Sequence, residues 1–186
     1  VLGTQKLLGR DKIFAMIASL GTPTSAATMP LVLKKGLPPL FPMSPADMFF
    51  TPHDPLKFGF FTPYYQGMRV GVNHLIGKNG YTKVGILYQD DGYGENVKKG
   101  VVDQLEAMGM ELVSETTYKR GATDFATQIA KLRYDGVDFV TLGTVIRETV
   151  GAVKTARAMG WDVDFLVSGA GSAQTVAALG GEAMDG

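Results

Sequence analysis

Gly92-Tyr93-Gly94-Glu95-Asn96-Val97 opens with the glycine spacing of a dinucleotide-binding turn. Such a turn needs a third glycine for close helix–strand packing, and Val97 stands in its place. The stretch therefore reads as a tight turn between a strand and a helix. Gly77-Lys78-Asn79-Gly80 lacks the spacing and the hydroxyl of a phosphate loop and reads as a helix stop. Ser168-Gly169-Ala170-Gly171-Ser172 fits either of two readings: backbone N–H groups offered to an anion at a helix start, or a plain glycine turn. His53 and His74 stand far apart and form no H-x-x-x-H pair, so neither signals a metal. Asp90 and Asp91 lack the further carboxylate of a calcium loop and fit a turn at the end of a strand. No G-x-S-x-G elbow is present. The chemistry on offer is recognition by hydroxyl, glycine and aromatic groups. No acid–base pair for turnover and no cofactor motif is evident.

The elements that must position these residues follow from periodicity. Lys83–Tyr88 is a short apolar run, as in a strand buried on both faces of a parallel sheet. Val97, Val101, Leu105 and Met108 then mark one helical face. Met110–Thr116 reads as the next strand, and Phe125, Ile129 and Leu132 as the next helical stripe, with Asp124 as its N-cap. Phe139–Gly143 is strand-like, Ile146, Val150 and Val153 are helical, and Phe165–Ser168 is strand-like again. Met68, Val72, Leu75 and Ile76 precede them all as a helix ending at Gly80. Gly80, Gly109, Gly136 and Gly160 each close a helix just before a strand, where a left-handed residue turns the chain back. The alternation predicts an α/β fold with a doubly wound parallel sheet.

The region before residue 64 obeys other rules. All nine prolines lie between Pro23 and Pro63, which disfavours long helices and central strands there. Six basic and three acidic residues give 1–64 a charge of +3, while twelve and fifteen give 65–186 a charge of −3. We expect two domains, 1–63 and 64–186. In the first, Ile13–Ala18 reads as a strand, Ser25–Lys35 as a helix stopped by Gly36, and Leu37–Phe41 as a short strand. Two strands and a helix do not bury a core, so this half is expected to be a partial domain.

Composition narrows the function. The chain has 186 residues, equal numbers of basic and acidic side chains (18 each) and no cysteine. That balance disfavours nucleic-acid binding, and the missing thiols exclude disulfides and Cys-ligated zinc. No apolar run approaches the roughly 18 residues of a membrane span, and no charged-then-apolar leader opens the sequence. Small molecules bind open parallel sheets outside the carboxyl ends of the strands. Those loops are expected at Leu20–Thr24, Phe41–Asp47, Gln89–Gly94, Gly143–Arg147 and Ser168–Ser172.

Several segments together resemble one family. They are Ile17–Thr24 (IASLGTPT), Gly36–Pro42 (GLPPLFP), Lys83–Val97 (KVGILYQDDGYGENV), Thr123–Gly143 (TDFATQIAKLRYDGVDFVTLG), Thr155–Gly160 (TARAMG) and Gly180–Gly186. In order and spacing the sequence resembles the type I periplasmic solute-binding proteins, in the branched-chain amino-acid-binding (Leu/Ile/Val-binding) branch that serves ABC transporters. The resemblance implies two doubly wound α/β lobes with a solute clamped between them. Residues 1–63 would be an incomplete first lobe, and 64–186 most of the second, as in a fragment that tends to self-associate. It further implies a non-enzymatic, periplasmic protein with a small-molecule ligand and an ABC permease as partners, no cofactor and no membrane insertion. A sensor domain of the same fold, or a doubly wound enzyme, is the alternative.

Site residues are carried over from that resemblance. Thr22, with Leu20 and Gly21, matches the loop that grips a ligand carboxylate; Ser44 and Ala46 match the next loop, Ala46 replacing a hydroxyl residue. Tyr93 matches an aromatic residue that closes over the ligand, and Val145 or Ile146 falls where another tyrosine is usual. Ala170 falls where an acidic residue pairs with a ligand ammonium. Without that acid, the resemblance implies a carboxylate-bearing or neutral solute rather than an α-amino acid in the usual pose.

Overall fold

The computed structural model describes residues 1–184 in two compact units, Val1–Pro63 and Tyr64–Gly186. The last two residues of the Gly180–Gly186 segment lie outside the described residues.

The first unit contains α1 (Leu2–Gly9), β1 (Met16–Ile17), α2 (Thr22–Lys34), β2 (Pro39–Leu40) and a 3-10 turn at Asp47–Phe49. β1 and β2 pair in parallel, and the isolated pairings Leu20–Met43 and Leu40–Phe58 extend the contact. Both strands are shorter than the sequence suggests. Left-handed backbone at Lys12 and Ala18 brackets β1, and Phe41 (φ 48°) ends β2. The helix begins three residues before the expected Ser25. Gly21 takes φ 90° at the N-cap, and Pro23 follows in the first turn, where its missing N–H costs nothing. α1 has no counterpart in the sequence reading, because Thr4 is its one buried residue and no apolar stripe marks it.

The second unit is a layered α/β structure. Its elements are α3 (Tyr64–Asn79), β3 (Val84–Gln89), α4 (Gly92–Ala107), β4 (Ser114–Tyr118), α5 (Ala126–Tyr134), β5 (Phe139–Gly143), α6 (Ile146–Ala158), β6 (Asp164–Val167), α7 (Gln174–Gly180) and a 3-10 turn at Gly181–Met184. The four strands are parallel in the order β4-β3-β5-β6. α3 and α4 pack together against one face, where Val97 lies against Gly143. The other face carries Ile129 and Leu132 of α5 and Ala152, Val153 and Ala156 of α6 on Leu87, Val140 and Leu142. β3 and β5 are neighbours, yet their following helices leave to opposite faces. Their carboxyl ends therefore form the switch point of a doubly wound sheet.

The glycine stops after α3, α4, α5 and α6 have φ of 74°, 70°, 73° and 63°. β3 and β5 are buried throughout, as their apolar runs predict. β4 lies four residues beyond the expected start at Met110. It is an edge strand that buries Ser114, Thr116 and Tyr118 alternately with exposed residues, so a search for an apolar run selects the wrong window. α6 turns inward a face that shares only Val153 with the expected stripe. Ile146 and Val150 are only half-buried, while Glu148, Thr149, Ala152, Val153 and Ala156 are buried. Small residues at 152 and 156 bring this helix close to the sheet; Val153 packs inward with them, and Ile146 and Val150 are turned aside.

Gly94 shows how tightly α4 sits on β3. A Cβ there lies 1.9 Å from the Gln89 carbonyl oxygen and 2.7 Å from the Tyr88 ring. Gly109 has open space around it but a positive φ. In urea unfolding of the second unit, Gly94→Ala is expected to cost about 2–4 kcal/mol by overpacking, and Gly109→Ala about 1–2 kcal/mol by backbone strain. Equal costs contradict the close seating of α4.

Candidate functional site

In the first unit, polar groups gather where the strands end and α2 begins. Thr22 and Ser44 are buried, and their hydroxyls are 2.7 Å apart. The Gly21 N–H donates to the Met43 carbonyl, which keeps the two loops side by side. Thr24 gives its hydroxyl proton to carbonyls of the preceding turn, at Leu20 and Gly21. Ser25, one turn into α2, is buried, and its Oγ has no hydrogen-bond partner among the described residues. A helix N-terminus carries free N–H groups and partial positive charge, so hydroxyls placed around it suit an anionic oxygen. Leu20 is 74% exposed at the rim, and Ala46 is buried at the start of the 3-10 turn.

In the second unit, Tyr93 organises the strand ends. It stands in the first turn of α4, is 3% exposed, and packs edge-on to Tyr64 with ring centroids 4.8 Å apart. Its hydroxyl donates to the Thr144 carbonyl (2.9 Å), and Ser168 Oγ lies 2.6 Å away. A phenol has one proton, and a carbonyl only accepts, so Ser168 is the donor in the second bond. That arrangement ties α4 to the loops after β5 and β6. The same argument orders the next pair. Thr149 donates to the Val145 carbonyl, so Thr144 donates to Thr149 across 2.6 Å. Gly171 lies against both, since a Cβ there sits 2.4 Å from Thr149 Oγ1 and 2.6 Å from the Thr144 carbonyl oxygen. Asp91 caps α4, its Oδ1 accepting the N–H groups of Tyr93 and Gly94, while Oδ2 meets Gln89. Asp124 accepts the Ala126 N–H at 2.9 Å, one residue before the N-cap position of α5.

The structure thus brings Thr22 to Ser44 and Tyr93 to the segment that holds Val145. Val145 is the N-cap of α6, Ile146 its first residue, and both are half-buried. Ala170 is half-buried in the loop after β6, beside Gly171. Sequence reasoning did not single out Ser25, Thr144, Thr149 or Glu148. One signal for Glu148 was available: it shares the 148, 152, 156 spacing of the small-residue face of α6, which is an inward face.

Three tyrosines of the second unit are buried with their hydroxyls in use. Burial, and then the neighbouring Glu115, pushes Tyr88 up to about 12. Burial lifts Tyr93 well above the ordinary range against the opposing hydrogen bond from Ser168. Tyr118 is raised by burial first and by the charge of Glu148 second.

The comparisons bear on what this arrangement belongs to. The sequence profile of the periplasmic binding protein family matches residues 2–186, and the chain belongs to that family. Its architecture is the type I fold of such proteins. The Leu/Ile/Val-binding protein homolog 8 of Brucella abortus is 27% identical over 107 residues, 56% of this chain and 27% of that protein. A branched-chain amino acid ABC transporter protein from Thermus thermophilus, solved with bound valine, superposes with a TM-score of 0.89 at 18% identity. The match covers all of this chain and 48% of that one. A solute-binding protein of an ABC transporter from R. palustris, solved with 4-hydroxybenzoate, gives 0.82 at 19%, over 96% of this chain and 49% of that one. The chain thus spans about half the length of the solved structures it matches.

Two outcomes follow for stability. Tyr93→Phe strands the Ser168 hydroxyl and the Thr144 carbonyl, and is expected to cost about 1–3 kcal/mol in urea unfolding. An unchanged midpoint contradicts the role of Tyr93 as the tie between loops. The raised tyrosines also set an alkaline limit. Above pH 10 the unfolded chain loses phenolic protons that the folded chain keeps, so stability falls as pH rises. For Tyr88 the fall runs from about pH 10 to about pH 12, with a slope of up to about 1.4 kcal/mol per pH unit for each such group. Unfolding midpoints that stay flat from pH 9 to 11.5 contradict this.

Proposed function

We propose that the chain is the solute-binding part of an extracytoplasmic binding protein that delivers a small organic solute to the permease of an ABC importer. In this reading residues 1–63 are part of a first lobe and residues 64–186 belong to a second. Family membership and the recurrence of solute-binding proteins among the relatives support the binding role. The observation that carries the choice of solute is the hydroxyl cluster at the start of α2. Thr22, Ser25 and Ser44 are buried there around a helix N-terminus, and Ser25 Oγ is left with an open valence. A carboxylate accepts hydrogen bonds from hydroxyl and backbone donors together and is favoured by the helix dipole. The solute is therefore a carboxylate, and the reaction at the site is binding and release.

The named solutes of relatives supply the probes. L-valine, L-leucine and 4-hydroxybenzoate, titrated calorimetrically into the chain, are expected to include at least one that binds. Thr22→Val and Ser25→Ala, which remove hydroxyls without opening large cavities, are expected to weaken that binding tenfold or more. Binding left unchanged by both substitutions removes the α2 start from the site. A chain that binds none of the carboxylates contradicts the function.

A further inference from the structure

The parallel sheet of the first unit is open on one side. Its register sets Met16 beside Pro39 and Ile17 beside Leu40, and successive side chains point to opposite faces. Pro39 is buried, and α2 packs on β2. The other row is uncovered: Ile17 is 67% exposed and Leu40 half-buried. The isolated pairing of Leu40 with Phe58 carries that row one position further across.

Aromatic residues extend the row. Gly59 turns toward Phe50, since a Cβ there lies 2.6 Å from that ring, so Phe58 and Phe60 on either side of it face away. Phe60 meets Phe41 edge-on with ring centroids 5.9 Å apart, and lies 4.0 Å from Phe61. Phe41 joins this cluster through a left-handed backbone (φ 48°), which is strained for a bulky residue. All four rings are 39–55% exposed. At about 150–250 Å² per aromatic side chain, they leave about 300–450 Å² of apolar surface in water. A patch of that size marks an interaction site, and parallel sheets are ordinarily covered on both faces.

The chemistry of the patch selects its partner. The row Ile17–Leu40–Phe58 carries no charge and no side-chain hydrogen-bonding group. The cation next to Phe58, Lys57, is held by the Pro52 carbonyl and does not give the rings an anion-binding rim. What fits is a second flat apolar face, and an identical chain supplies one through a two-fold axis. With Ile17 included, two copies face to face bury about 700–1,000 Å², the size of a weak, reversible pair.

We propose that this face of the first unit is a self-association surface, through which two copies of the chain pair with their Ile17–Leu40–Phe58 rows in contact. The proposal does not rest on the solute-binding reading, because Thr22, Ser25 and Ser44 are buried and have no place in the row.

Sedimentation equilibrium of the chain from about 10 µM to about 1 mM covers the dissociation constants of weak pairs. Monomer is expected to pass to dimer in that range. Ile17→Lys and Phe58→Lys are each expected to raise the dissociation constant at least tenfold. Tyr134→Asp, at an exposed aromatic residue of α5, is expected to leave it unchanged. Circular dichroism checks that the variants are folded. If Phe58→Lys unfolds, Ile17→Lys decides, since that side chain already lies mostly in solvent. Hydrogen exchange of the wild type is expected to slow at residues 16–18, 39–41 and 57–61 as concentration rises. A wild-type chain that stays monomeric to about 1 mM overturns the proposal; if that monomer binds phosphatidylcholine vesicles, the face is a lipid-binding surface instead. A dimer that persists in folded Ile17→Lys, or concentration-dependent protection confined to the second unit, puts the contact elsewhere and also overturns it.

Discussion

The hydroxyl of Tyr93 is the point through which the second unit is assembled at the carboxyl ends of its strands. One phenolic oxygen gives its proton to the Thr144 carbonyl and receives one from Ser168. In doing so it joins the start of α4 to the loops that follow β5 and β6, across the switch point of the sheet. Two close approaches depend on the same seating: Gly94 on the Gln89 carbonyl, and Gly171 on Thr144 and Thr149. An open parallel sheet normally leaves a crevice at such a point. Here an aromatic residue, polar only at its tip, lies buried in it, and the strand-end loops are held in register by hydrogen bonds rather than by apolar packing.

Much of the second unit is legible in the sequence. Runs such as VGILY and FVTLG, bounded by helix-closing glycines, read as strands buried on both faces and are so, and the four glycines that close helices take the left-handed backbone their positions demand. What eludes pattern reading shares a physical cause. β4 is an edge strand whose inner residues are two hydroxyls and a tyrosine, so its signal is weak in hydrophobicity. The inner face of α6 is built from alanine, threonine, Val153 and one glutamate, and the larger Ile146 and Val150 draw attention to the wrong side. In the first unit, left-handed residues that are not glycine cut both strands short, and composition gives no hint of them.

The candidate site was legible by place more than by role. Loop positions follow from the alternation of strands and helices, and Thr22 and Ser44 do meet. The hydroxyl of Ser25 and the carboxylate of Glu148 stand out only once burial and bonding are known, because each is an ordinary residue in an ordinary helix. The open valence of Ser25 lies in the first turns of a helix that follows a strand. A fold selected for stability alone has little reason to leave buried oxygen atoms without partners. A protein that binds and releases a solute has one, since the missing partner arrives with the ligand.

Hydrogen exchange of the chain, read peptide by peptide with and without saturating L-leucine, tests this most directly. The account predicts slowed exchange at residues 20–26, the start of α2, with little change along α3 and α5. Protection confined to other segments, or none at the α2 start, contradicts it.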